Sequence, residues 1–170
     1  MATVKKEFRS ARSADELWAV VRRFDAVHEM APGFVTATKM EPSGARLVTF
    51  ANGTEIREWL VSSNDAERRL VYAILDHPKI QHYSAAAQVV EDGDGCRFVW
   101  TVDFLPDGMA GMQAASMEAG VAAMARVLGQ PIIEPVSRRA QWRRRKGRRP
   151  CLRVRSRCVV RVRDRRRRRR

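Results

Sequence analysis

The chain has too few cysteines for a disulfide framework, no long apolar run, and none of the usual nucleotide or nucleophile motifs. Its three cysteines are an odd count, and two of them, Cys151 and Cys158, lie near the C-terminus. That usage points to a reducing, cytoplasmic setting. The opening stretch Met1–Phe8 mixes charge with apolar residues, so no secretory leader is expected there. No stretch approaches the roughly 18 apolar residues of a membrane span. G-x-S-x-G, P-loop and dinucleotide fingerprints are all absent. His28, His77 and His82 do not have the spacing of a metal-ligand set, so neither a metal nor another cofactor is expected. Cys96 follows an Asp-Gly turn with no histidine placed beside it, and reads as incidental.

What is present divides sharply by charge. Residues 1–134 hold 14 Lys and Arg against 18 Asp and Glu, a net of −4. Residues 135–170 hold 19 against Asp164 alone, a net of +18, and the two parts return the overall +14. The body is therefore mildly acidic, which does not suggest a nucleic-acid-binding surface. The remainder, about 131–170, lacks a sustained apolar period, and its like charges oppose compaction, so it reads as disordered. If genuine, it would bind the phosphates of RNA or DNA without reading sequence. Its abundance of Arg, with Lys146 its one lysine, also fits a GC-rich gene read in a shifted frame. The expected division is a folded domain over 1–130 and an arginine-rich tail over 131–170.

Within the body, a first strand is expected over Val4–Arg12. Ser13 and Glu16 then form a capping box, each able to bond the other's free backbone N–H, and Leu17, Trp18, Val20, Val21 and Phe24 follow at near-helical spacing. A second short helix over Asp25–Met30 should stop at Ala31-Pro32-Gly33. Six strands follow: Phe34–Met40, Ala45–Phe50, Thr54–Val61, Arg68–Leu75, Tyr83–Val90 and Cys96–Phe104. They are punctuated by turns such as Pro42-Ser43-Gly44, Asn52-Gly53 and Asp92-Gly93. After Pro106-Asp107-Gly108 the period changes, and Met117, Val121, Met124 and Leu128 form a helical stripe. The order is α+β: one strand, two short helices, six strands, one long helix. A curved sheet of that length needs a cover, and the last helix is the one element large enough.

This order, with several local strings, resembles the polyketide cyclase/dehydratase-like branch of the START and birch-pollen-allergen superfamily. The strings are Ser13-Ala14-Asp15-Glu16-Leu17-Trp18 leading to Phe24-Asp25, Asn52-Gly53-Thr54-Glu55-Ile56-Arg57-Glu58, Leu70-Val71-Tyr72, His82-Tyr83, and Val99-Trp100-Thr101-Val102-Asp103-Phe104. The resemblance covers roughly residues 3–128. It implies a helix-grip fold, a seven-stranded curved antiparallel sheet wrapped around the long C-terminal helix, with an apolar cavity between them. It also implies binding of a hydrophobic small molecule, which some members cyclise or dehydrate.

The resemblance places Glu58 where hormone-receptor relatives carry a cavity-facing carboxylate. In an apolar pocket its pKa would rise, making it an anchor or a candidate general acid/base. The alternative is a strand carboxylate that faces solvent or pairs with a neighbouring arginine; Trp59 replaces the arginine usual in the relatives. Tyr72, Tyr83 and Trp100 match cavity-lining positions, against the alternative of plain core. Ala85 and Ala87 share the face of Tyr83 and would leave space beside it. Met117, Val121 and Met124 would face the ligand from the helix, although such a stripe is usually core. His77 and Phe34 are candidates for the cavity mouth; a solvated loop is the alternative for His77. Thr36 stands nearest the receptor relatives' inward lysine and cannot bind a ligand carboxylate as lysine does.

Three functions follow from these residues. The first is a carrier or sensor of a small hydrophobic molecule of polyketide, lipid or aromatic class. The second is a cyclase or dehydratase using Glu58, Tyr72 or Tyr83 as acid-base groups. The third is nucleic-acid association through the basic tail.

Overall fold

The computed structural model describes residues 1–129. The expectations for 131–170, a disordered tail with nucleic acid as its partner, lie outside the described residues.

The first strand, β1 (Ala2–Ser10), is followed by the helix α1 (Ala14–Val21), a 3₁₀ turn over Phe24–Ala26 and the short helix α2 (Val27–Met30). The capping box forms as the sequence predicts. Ser13 Oγ accepts from the Glu16 N–H at 3.2 Å, and the Glu16 carboxylate accepts from the Ser13 N–H at 2.9 Å. Six strands come next: β2 (Val35–Met40), β3 (Arg46–Phe50), β4 (Glu55–Asn64), β5 (Arg69–Ala73), β6 (His82–Asp92) and β7 (Gly95–Leu105). A 3₁₀ turn over Asp107–Met109 leads into the long helix α3 (Ala110–Leu128).

All seven strands join one antiparallel sheet in the order β1-β7-β6-β5-β4-β3-β2. The run β2 to β7 is a meander, and α1 and α2 carry the chain from one edge of the sheet to the other. This is the expected helix-grip fold. Register breaks between Val35 and Ala37 in β2 and between Leu60 and Ser62 in β4. Such bulges bend a strand and increase its twist, which suits a sheet that curves around a helix.

The core lies between the inner face of the sheet and α3. Period-two alternation brings Tyr83, Ala85, Ala87 and Val89 of β6 to that face, opposite Phe104, Val102, Trp100 and Phe98 of β7. From the helix, Met117, Gly120, Val121, Met124 and Leu128 are buried against them. The C-terminal end of α3 is tied to β1, because Ser10 Oγ donates to the Leu128 carbonyl at 2.5 Å. Arg12 Nη2 adds a hydrogen bond to the Val127 carbonyl at 2.9 Å. Carbonyls in the last turn of a helix lack intrahelical partners, so these bonds supply them. Among the described residues no helix is long and apolar enough to cross a membrane.

Candidate functional site

Sheet and helix separate toward the N-terminal end of α3, leaving a cavity of about 480 Å³. That lies within the roughly 300–1,000 Å³ typical of small-molecule sites. Its apolar walls include Phe50 from β3, Ile56 from β4, Trp100 from β7, and Met109 and Met112 at the start of α3. The mouth is framed by three loops: Ala51, Asn52 and Thr54 between β3 and β4, His77 and Ile80 between β5 and β6, and Phe34 before β2. Behind it lies a second void of about 50 Å³, lined by Met30, Val48, Leu70, Tyr72, Ala87 and Met124, among others. Phe34, Phe50, Glu58 and Trp100 line both spaces and so form the partition between them.

Helix α3 reaches this partition because residue 120 has no side chain. A Cβ there would stand 2.9 Å from Phe34 Cε1 and 3.0 Å from Trp100 Cζ3. Real Cβ contacts of that length essentially never occur, so glycine permits the close approach.

Glu58 is buried in the partition, 5% exposed. It lies directly across the β3–β4 hairpin from Arg46, which is 4% exposed. Arg46 Nη2 stands 2.6 Å, and its Nε 2.7 Å, from Glu58 Oε2. Arg46 Nη1 donates to the Phe24 carbonyl at 2.8 Å. The guanidinium carbon sits 4.1 Å from the centroid of the Phe24 ring and 4.8 Å from that of Tyr72. A buried arginine thus gains a carboxylate, a carbonyl and two ring faces in place of water. Among the described residues, no hydrogen bond reaches the other Glu58 oxygen, Oε1. That oxygen is not among the sealed, unpartnered polar atoms of the interior, and Glu58 lines the cavity. Burial pushes the Glu58 carboxyl above the ordinary glutamate range, and the Arg46 charge and hydrogen bonds pull against that shift without cancelling it.

The tyrosines extend the polar seam. Trp100 Nε1 donates to the Tyr72 hydroxyl at 3.0 Å, and Gln113 Nε2 donates to the Tyr83 hydroxyl at 3.4 Å. Burial drives both phenol pKa values up, and the Glu58 charge adds to the effect. Both hydroxyls therefore stay neutral at any physiological pH, able to donate as well as accept.

Residues 1–129 match the family described as polyketide cyclase/dehydrase and lipid transport. The chain belongs to this family. Solved structures share its fold. Protein XoxI from Bacillus cereus is 22% identical with a TM-score of 0.66, covering 75% of this chain and 96% of that one. A protein from Thermobifida fusca is 29% identical with a TM-score of 0.61, covering 74% and 91%. Norcoclaurine synthase from Thalictrum flavum, in complex with dopamine and hydroxybenzaldehyde, is 17% identical with a TM-score of 0.59, covering 74% and 85%. No curated protein sequence matches the chain.

In this member of the cyclase/dehydrase family the expected site residues fall into three groups. Glu58, Tyr83, Trp100, His77 and Phe34 line the main cavity. Tyr72 and Met124 line only the small void behind the partition. Met117 and Val121 line neither, because both side chains are spent on core packing. His82 is exposed, and Thr36 is exposed with its hydroxyl donating to the Thr49 carbonyl. His28 lines neither space, although its Nδ1 is buried without a partner. Cys96 is a buried free thiol.

Arg46 was missed by the reading of single strands. Its signal lay in the hairpin: counting outward from Asn52 sets Thr49 against Glu55 and Arg46 against Glu58. The arginine partner of Glu58 therefore comes from the neighbouring strand, and Trp59 instead pairs with Ala73. Gln113 was also missed, because it lies in the first half of α3, outside the apolar stripe. Among the described residues no cluster of three His, Cys, Asp or Glu side chains converges on a metal position.

Proposed function

We propose that this chain binds a small hydrophobic molecule of polyketide, lipid or aromatic class, as a carrier or sensor. The observation that carries this reading is the cavity: a mostly apolar space of about 480 Å³ whose lining, among the described residues, includes one carboxylate, Glu58. Apolar walls supply affinity and a few polar atoms fix orientation, the usual division of work in such sites. The test is native mass spectrometry of the full-length protein with displacement of an apolar fluorescent probe. Ser116→Trp adds bulk at the cavity wall from an exposed helix position. It should weaken probe binding at least about tenfold with an unchanged melting temperature. Equal binding by wild type and variant would remove the cavity as the site.

A second reading, a cyclase or dehydratase, is supported by Glu58 and Tyr83 lining the same cavity. A buried carboxylate with a raised pKa beside a neutral phenol is a workable acid-base pair. Glu58→Gln separates the two readings once a ligand is in hand. Binding kept with turnover lost favours the enzyme, and a wild type without turnover ends that claim.

A further inference from the structure

The chemical class of ligand follows from the charges around the cavity. Among the described residues its sixteen lining residues include one carboxylate, Glu58, and neither lysine nor arginine. Arg46 lines the rear void rather than the cavity, and its three guanidinium nitrogens are already committed. Two of them face Glu58 Oε2 and the third faces the Phe24 carbonyl. Among the described residues Glu58 Oε1 accepts no hydrogen bond, so it can take a donor from a ligand in the adjoining space. The remaining polar wall is neutral: Tyr83, Gln113, Ser116, Thr54 and Asn52, with His77 at the mouth.

Resting on the pocket reading above, we propose that the cavity selects uncharged apolar molecules bearing a hydroxyl donor and rejects carboxylates, with Glu58 Oε1 receiving that donor. A phenol or alcohol brings a proton to the open oxygen and no net charge into the cavity. A ligand carboxylate brings a second negative charge beside Glu58 and finds no lysine or arginine in the described lining to offset it. Removing a charge from water without a partner is the dominant cost of such binding. The fatty-acid type of amphiphile is thereby disfavoured, and hydroxylated ring systems are favoured.

The test compares naphthol with naphthoate, two probes of one ring system, by calorimetry on the full chain at about pH 8. There a phenol is still protonated and a carboxylic acid ionised. Naphthol is expected to bind at least about tenfold more tightly. Two variants sharpen the comparison. Gln113→Lys places a cation on the cavity wall from a partly exposed position on α3, and should admit naphthoate. Glu58→Gln releases Arg46 and should shift preference toward naphthoate; because it disturbs a buried ion pair, the Gln113 variant is the decisive one. Naphthoate binding as tightly as naphthol to the wild type overturns the ligand class while leaving the pocket intact. Binding of neither probe, in wild type or Gln113→Lys, overturns the pocket reading and this inference with it.

Discussion

The groove between sheet and helix has a closed end and an open end, and one helix serves both. At the closed end, the C-terminal end of α3 is tied to β1, which nine register pairs join to β7, and eleven more join β7 to β6. Phe98, Leu128 and Met117 are almost wholly buried there. At the open end, β2 and β3 are short, β2 and β4 carry bulges, and Met112 is 64% exposed at the start of the helix. Long regular pairing brings side chains together at interior density, whereas bulged, bent strands draw away and leave space. The packed core therefore lies at one end and the cavity at the other.

The largest way to break this contrast is to empty one site at each end. Phe98→Ala at the closed end should cost about 3–5 kcal/mol in urea unfolding, the range for removing a buried aromatic. Ile80→Ala at the mouth should cost under about 1 kcal/mol, because its side chain already borders open space. Comparable losses from the two would show that the open end is also part of the structural core.

The boundary between the ends is the Arg46–Glu58 pair. Arg46→Met strands a buried carboxylate and should destabilise by about 3–5 kcal/mol near neutral pH, since both side chains are buried and little screened. Replacing both together, Arg46→Met with Glu58→Leu, should recover most of that loss. The pH dependence has a definite sign. The folded state raises the Glu58 pKa above the ordinary glutamate value of 4.5, so this contribution to stability is complete below about that pH and fades as pH rises through the raised value. Relative to Glu58→Gln, the wild type should thus lose stability as pH climbs from 4.5, as read from urea midpoints across a pH series. Without Arg46 the decline should be steeper. A wild type that gains on Glu58→Gln over that range would mean the arginine outweighs the burial.

The smallest expected effect concerns the contact that sets where the open end begins. Gly120→Ala pushes a methyl against Phe34 and Trp100. Overpacking costs about 1–3 kcal/mol, and the better helix propensity of alanine returns up to about 1. A net loss of about 1 kcal/mol is expected, with a change in tryptophan emission as Trp100 shifts. Unchanged stability and emission would show that the partition yields freely.

Much of this was legible in advance because it is written in local patterns. The Ser13–Glu16 capping box, the Asn52-Gly53 turn and the period-two runs of β6 and β7 each depend on neighbours a few residues away. The polar floor was half legible: Glu58 stood out, but Arg46 emerges only when two strands are set side by side. The helical stripe was legible as a stripe and not as to purpose. Met117, Val121 and Met124 share one face, yet none reaches the main cavity, and only Met124 reaches the void behind it.

What the sequence determined by itself is the order of elements, the antiparallel sheet and the covering helix, because hydrophobic period and turn chemistry act over short stretches of chain. Only the tertiary structure decided where along α3 the core gives way to the cavity. That position depends on bulges in β2 and β4 and on the close approach at Gly120, contacts between residues far apart in sequence that no period encodes. The same physics decided the charge of the site, by committing Arg46 to one oxygen of Glu58 and leaving the other open.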